Sequence, residues 1–166
     1  TITGTTNIVV ATAGNDIFDT TGENDGTVAG ITYTDFANID GAAGNDTFNL
    51  QHDVGGDVDG GAGNDTYNLA AGVSVGGTMD AGADTDELLI IGGAGPNNWV
   101  VDAADSGTLN GQAFANVENL TGNDNVDNFT FTAALSGTAT GAGGNDTFNV
   151  GDNGAAGQYD GGAGAD

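Results

Sequence analysis

DGGAGNDTYNL, residues 59 to 69, decides the fold. It joins a glycine-rich run to the pair Asn64-Asp65 and then to a short alternating segment. In TYNL, Tyr67 and Leu69 alternate with Thr66 and Asn68, the period of two that marks a half-buried strand. TFNL at 47–50, TFNV at 147–150 and FTF at 129–131 repeat that segment. The question is whether Asn64-Asp65 only turns the chain or also holds a metal ion.

Recurrence bears on the answer. GND starts at Gly14, Gly44, Gly63, Gly122 and Gly144, with a degenerate copy from Asp80 and a truncated one at the end of the chain. Aligned on the central acid, the copies fall at Asp16, Asp46, Asp65, Asp86, Asp124, Asp146 and Asp166, separated by 30, 19, 21, 38, 22 and 20 residues. Most intervals are close to 20. A longer period overlies this one. Residues 51–69 align without gaps on 132–150, GTVAG (26–30) matches GTLNG (107–111), and FANID (36–40) matches FANVE (114–118). The first two shifts are 81 and the third is 78. The chain reads as two super-repeats, approximately 14–95 and 96–166, in one domain covering 1–166. It begins without Met and stops inside a motif, as expected of a fragment of a longer repetitive protein.

A unit of about 20 residues cannot bury an apolar face alone, so successive units must stack. The expected fold is all-β: a parallel β-solenoid, β-roll or β-helix, with ~20-residue coils inside an ~80-residue super-repeat. Parallel stacking would place Phe48, Tyr67 and Leu88 in one internal column. Trp99, aligned here with Ile17, would fill a wider coil. Asn49, Asn68 and Asn149 would form an amide ladder.

Charge narrows the function. There are 24 acidic residues and no Lys or Arg, for a net charge of −24. That surface repels nucleic-acid phosphates and anionic lipid. No apolar run is long enough to cross a membrane as a helix. No Cys is present, so disulfides and thiolate metal sites are excluded. Stacking also puts the recurrent Asp residues in register. Two carboxylates ~5 Å apart repel by ~1 kcal/mol in water and ~3–4 kcal/mol at an effective dielectric of 20. Either they face bulk water or a cation lies between them. Ca²⁺ accepts carboxylate and carbonyl oxygens at flexible geometry. Zn²⁺ or Cu²⁺ would want His or Cys, and only His52 is available. The plain alternative is that Asn and Asp simply suit tight turns.

Residues 60–68, GGAGNDTYN, resemble the repeat-in-toxin nonapeptide GGxGxDxUx. GAAGNDTFNLQHDVGGDVD (41–59) is more similar to the 19-residue xGTGND units of large bacterial extension adhesins of the same broad group. It resembles filamentous-haemagglutinin-like repeats more distantly. The resemblance implies one calcium-lined edge opposite an edge of plain glycine turns. The metal ligands would be Asp46, Asp65, Asp86, Asp124, Asp146 and Asp166, with Gly44, Gly63, Gly144 and Asn64 supplying turn and carbonyl positions. It further implies a secreted, cell-surface structural segment whose partners are Ca²⁺ and neighbouring repeats or identical subunits. A metal-independent solenoid stacking end to end is the alternative. An enzyme is not expected, because the Asp residues follow the period and do not form a singular cluster. Ice binding is not expected either: the Thr of that motif is replaced by Ala13, Ala43, Ala62, Gly143 and Ala163, leaving Thr121.

Overall fold

The computed structural model describes residues 7–166. Every regular element among them is a strand. The first nine are β1 (Ile8–Val10), β2 (Ile17–Gly22), β3 (Asp25–Val28), β4 (Ile31–Tyr33), β5 (Asn38–Asp40), β6 (Thr47–Leu50), β7 (Val58–Asp59), β8 (Thr66–Ala70) and β9 (Thr78–Asp80). The second nine are β10 (Glu87–Ile91), β11 (Asn97–Ala103), β12 (Ser106–Leu109), β13 (Gln112–Ala115), β14 (Asn119–Thr121), β15 (Asp127–Phe131), β16 (Ala134–Thr140), β17 (Thr147–Val150) and β18 (Ala155–Asp160).

They form two nine-stranded sheets. The first has the order β1-β5-β7-β9-β13-β12-β11-β15-β17, and the second β18-β16-β14-β10-β8-β6-β2-β3-β4. Most pairings are parallel. The exceptions are two three-stranded meanders, β2-β3-β4 and β11-β12-β13, whose internal pairings are antiparallel. Apart from these meanders the chain crosses to the other sheet after every strand, and that crossing is what keeps neighbours within a sheet parallel.

The period of two sets what lies inside. Phe48 and Leu50 are buried on β6, Tyr67 and Leu69 on β8, Leu88 and Ile90 on β10. Register joins them into columns, Phe48 beside Tyr67 and Tyr67 beside Leu88. Phe18 stacks on Phe48 at 4.9 Å and Phe48 on Tyr67 at 4.7 Å, near-parallel offsets that aromatic rings favour. Trp99, Phe129 and Phe148 repeat the stack at 5.4 and 5.0 Å. A single apolar core takes side chains from both sheets. Asn68 donates to Asn49 and Asn49 to Asp19, so the amide ladder includes two of the three expected Asn residues.

The long period is a structural equivalence, at a shift of 81 for most strands, 79 between β1 and β10 (Val9 to Leu88) and 80 between β9 and β18 (Met79 to Tyr159). Strand pairs Phe18–Val28, Gly26–Tyr33, Phe18–Phe48, Ile39–Val58 and Phe48–Tyr67 recur as Trp99–Leu109, Gly107–Phe114, Trp99–Phe129, Leu120–Ala139 and Phe129–Phe148. Each of these shifts is 81. Trp99 therefore corresponds to Phe18, one residue from the alignment with Ile17. The FANID/FANVE match at 78 is also out of structural register, since Ile39 corresponds to Leu120. Strand by strand, β1–β9 correspond to β10–β18, but corresponding strands lie in opposite sheets.

In five of the seven copies the position four residues before the column Asp carries left-handed backbone: Ala42 (φ 69°), Gly61 (96°), Gly82 (96°), Ala142 (71°) and Gly162 (81°). An L side chain there costs about 1–2 kcal/mol. Ala42→Gly should raise stability by about 0.5–1 kcal/mol, while Gly61→Ala should lower it by more, because a Cβ at Gly61 meets the Ala42 carbonyl. Thermal melts of the two variants check the opposite signs.

Candidate functional site: two buried aspartate columns

Four of the five GND turns, those at 14, 44, 63 and 144, deliver the Asp inward and the Asn outward. Asp46, Asp65, Asp86 and Asp146 are buried, whereas Asn64 is exposed. The Asp46 N–H donates to Asp65 Oδ1 at 2.7 Å, the Asp65 N–H to Asp86 Oδ1 at 2.6 Å, and the Asp16 N–H to Asp46 Oδ1 at 2.7 Å. The Asp86 N–H ends this column on Glu118 Oε2 at 2.8 Å. The Asn residues link the same turns in the reverse sense. The Asn45 N–H donates to Asn15 Oδ1, that of Asn64 to Asn45 Oδ1, and that of Thr85 to Asn64 Oδ1. Each turn is thus held to the copy before it through Asn and to the copy after it through Asp.

A second column begins at Asp127, whose Oδ1 accepts from Trp99 Nε1 at 2.8 Å. The Asp127 N–H donates to Asp146 Oδ1 and the Asp146 N–H to Asp166 Oδ1. Asp124 is not a member. It is exposed, and the buried column position is Asp127, three residues on. The tripeptide GND at 122–124 is displaced from the register that the inward residues Leu120 and Phe129 impose. Applying the shift of 81 to Asp46 would have found Asp127 in the sequence.

The expected single edge is also two. In the first half the turns lead from the first sheet into the second, from β5 into β6 and from β7 into β8. In the second half they lead from the second sheet into the first, from β14 into β15 and from β16 into β17. Because corresponding strands exchange sheets, the two columns lie along opposite edges. Nor are the other turns plain glycine. Asn24, Asn38, Asp53 and Asp57 accept from the N–H groups of Gly55, Asp57, Ser74 and Thr78 in the next copy.

Gly44, Gly63 and Gly144 occupy φ of 125°, 121° and 116°, and a Cβ at each would strike the backbone of the preceding copy. Their role is close approach. The glycines facing the column carboxylates are others. Gly41, Gly60, Gly122 and Gly141, five residues before Asp46, Asp65, Asp127 and Asp146, lie against Oδ2, and Ala81 is the counterpart before Asp86.

With Oδ1 occupied, Oδ2 of Asp46, Asp65, Asp86 and Asp146 is buried without a hydrogen-bond partner. Burial raises the Asp65 carboxyl to about 6 and the Asp86 carboxyl to about 7. The backbone N–H bond pulls each down, and neighbouring carboxylates push up: Asp46 and Asp59 on Asp65, and Glu118, Asp65 and Asp84 on Asp86. Asp46 and Asp146 shift upward for the same leading reason. A Ca²⁺ cage wants six to eight oxygens around one point. The columns offer one unpartnered carboxylate oxygen at each of Asp46, Asp65, Asp86 and Asp146, while Oδ2 of Asp16 accepts from Thr12 and Oδ2 of Asp127 from the Asn123 N–H. Among the described residues no three or more His, Cys, Asp or Glu side chains converge. The side chains as placed do not make such a cage. No family model matches the chain, and neither a curated protein nor a solved structure does.

The carboxyls are protonated more readily folded than unfolded, so stability is greatest at acid pH and falls as pH rises from about 4 to about 7. In EGTA, melts at pH 5 and pH 8 should differ by several degrees, higher at pH 5. Asp65→Asn keeps the Oδ1 acceptor and should flatten that dependence. Asp65→Ala strands the Asp46 N–H and should cost about 1–3 kcal/mol at either pH.

Proposed function

We propose that this chain is a structural segment of a secreted bacterial surface or filament protein, built as a β-solenoid that spaces or stiffens. The observation that carries the reading is the pair of hydrogen-bond columns: the conspicuous polar residues are spent on joining one copy to the next. Hydrogen-bonding side chains that repeat with the period stabilise length, whereas a reactive centre needs a singular group. On this reading the nine strands per sheet correspond to a rod roughly 40 Å long.

The columns close by side-chain-to-backbone bonds, which favours a solenoid that folds without metal and holds part of its buried carboxyls protonated. A second reading keeps Ca²⁺ along the turns, as the family resemblance implies. It is favoured by the four unpartnered buried oxygens and by the absence of any Lys or Arg. It requires carbonyl oxygens to complete each site, and it links rigidity to the calcium outside a cell.

Far-UV circular dichroism and small-angle scattering, in EGTA and then in millimolar Ca²⁺, test both. The expected outcome is the same β spectrum and elongated particle in both conditions, with a melting temperature that depends on pH. A chain that is disordered in EGTA and becomes β-rich with Ca²⁺, but not with Mg²⁺, replaces the metal-free reading with the calcium one. A particle of compact, isotropic dimensions rejects the solenoid itself.

A further inference from the structure

The equivalence of β1–β9 with β10–β18 says what the two ends fit. Inside the molecule the second nine strands dock on the first through two parallel pairs, β10 on β8 and β13 on β9. Among the described residues β1 and β4 are the terminal strands at one end, and β17 and β18 at the other. By correspondence β1 is another β10 and β4 another β13, while β17 is another β8 and β18 another β9. The two ends are therefore the two halves of a junction the molecule already contains.

We propose that a second copy of this chain docks head to tail on the first, pairing β17 with the incoming β1 and β18 with the incoming β4. This inference rests on the solenoid reading above and names its partner. Sheet membership makes it geometrically closed. β1 and β17 belong to one sheet and β4 and β18 to the other, so both pairs form with no rotation of the second copy about the long axis. One nine-strand unit exchanges the sheets, and two restore them.

Register follows from the internal junction. Glu87–Thr66, Leu88–Tyr67 and Leu89–Asn68 translate into Ile8–Thr147, Val9–Phe148 and Val10–Asn149. Ala113–Thr78 and Phe114–Met79 translate into Thr32–Gln158 and Tyr33–Tyr159. Burial agrees at the β17–β18 end. Leu69 and Met79, covered by β10 and β13, are 2% and 0% exposed, whereas their counterparts Val150 and Tyr159 are 51% and 39% exposed. Phe148 is half-buried where Tyr67 is fully buried. These side chains sit where a further pair of strands would cover them. The copies repel through their net charge, so contact strengthens in salt that screens it.

Sedimentation velocity of the full chain at rising concentration and high ionic strength should show end-to-end oligomers. Val150→Lys, placing a charge at the uncovered end of the apolar column, should abolish them while leaving the circular dichroism unchanged. Register is tested by disulfides, since the chain has no Cys of its own. Facing residues on adjacent parallel strands lie ~5 Å apart, within disulfide reach. An oxidised equimolar mixture of Val10→Cys and Asn149→Cys should give reducible heterodimers in clear excess over a mixture of Val10→Cys and Ile17→Cys, because exposed Ile17 lies on β2, away from the ends. A monomer at every concentration, or equal cross-linking in both mixtures, overturns the proposal and leaves the elongated particle and the function reading intact. A chain without β structure or elongation overturns both.

Discussion

The bond from a turn side chain to the backbone N–H of the neighbouring copy is the interaction on which the rest depends. A tight turn exposes N–H groups that its own chain cannot satisfy, and stacking buries them. Asp65, Asn64, Asn24 and Asp57 each accept one such group from the adjacent copy. The acceptor reaches across and not back, so every copy needs a neighbour to be complete. The apolar columns supply most of the burial, but they would tolerate sliding along a smooth interior. The polar columns hold each turn against one partner and so fix which strand lies beside which.

Placing carboxylates there has an electrostatic consequence. An amide would satisfy the N–H without charge, yet the inner position is Asp at 16, 46, 65, 86, 127, 146 and 166. With no Lys or Arg in the protein, the opposing effects are burial, which disfavours charge, and the N–H bond, which favours it. Burial dominates at Asp65 and Asp86. Those two carboxyls thus hold their protons at mildly acidic pH and are strained by charge above it.

Much of this was legible in the sequence because stacking makes equivalent residues recur. The alternation in TFNL and TYNL gave the inward Phe48, Tyr67 and Leu69, and the gapless match of 51–69 with 132–150 gave the period. Asp124 misled because a short identical tripeptide is a weaker marker of register than the spacing of buried side chains: Leu120 and Phe129 place Asp127, not Asp124, at the column. FANVE misled in the same way, by the same three residues. Three features have no local signature. The exchange of sheets between super-repeats depends on where the meanders send the chain. The partner of each turn N–H depends on its neighbour. The burial of Oδ2 depends on a glycine five residues away.

The meanders carry a mechanical consequence. Each nine-strand unit places five strands in one sheet and four in the other. If the surplus always fell on the same side, one face would outgrow the other by ~4.8 Å per unit, and a long array would curl into an arc. Alternation cancels that mismatch every two units. On the solenoid reading, straightness over long distances would follow from an odd number of strands, with the surplus dealt to each face in turn.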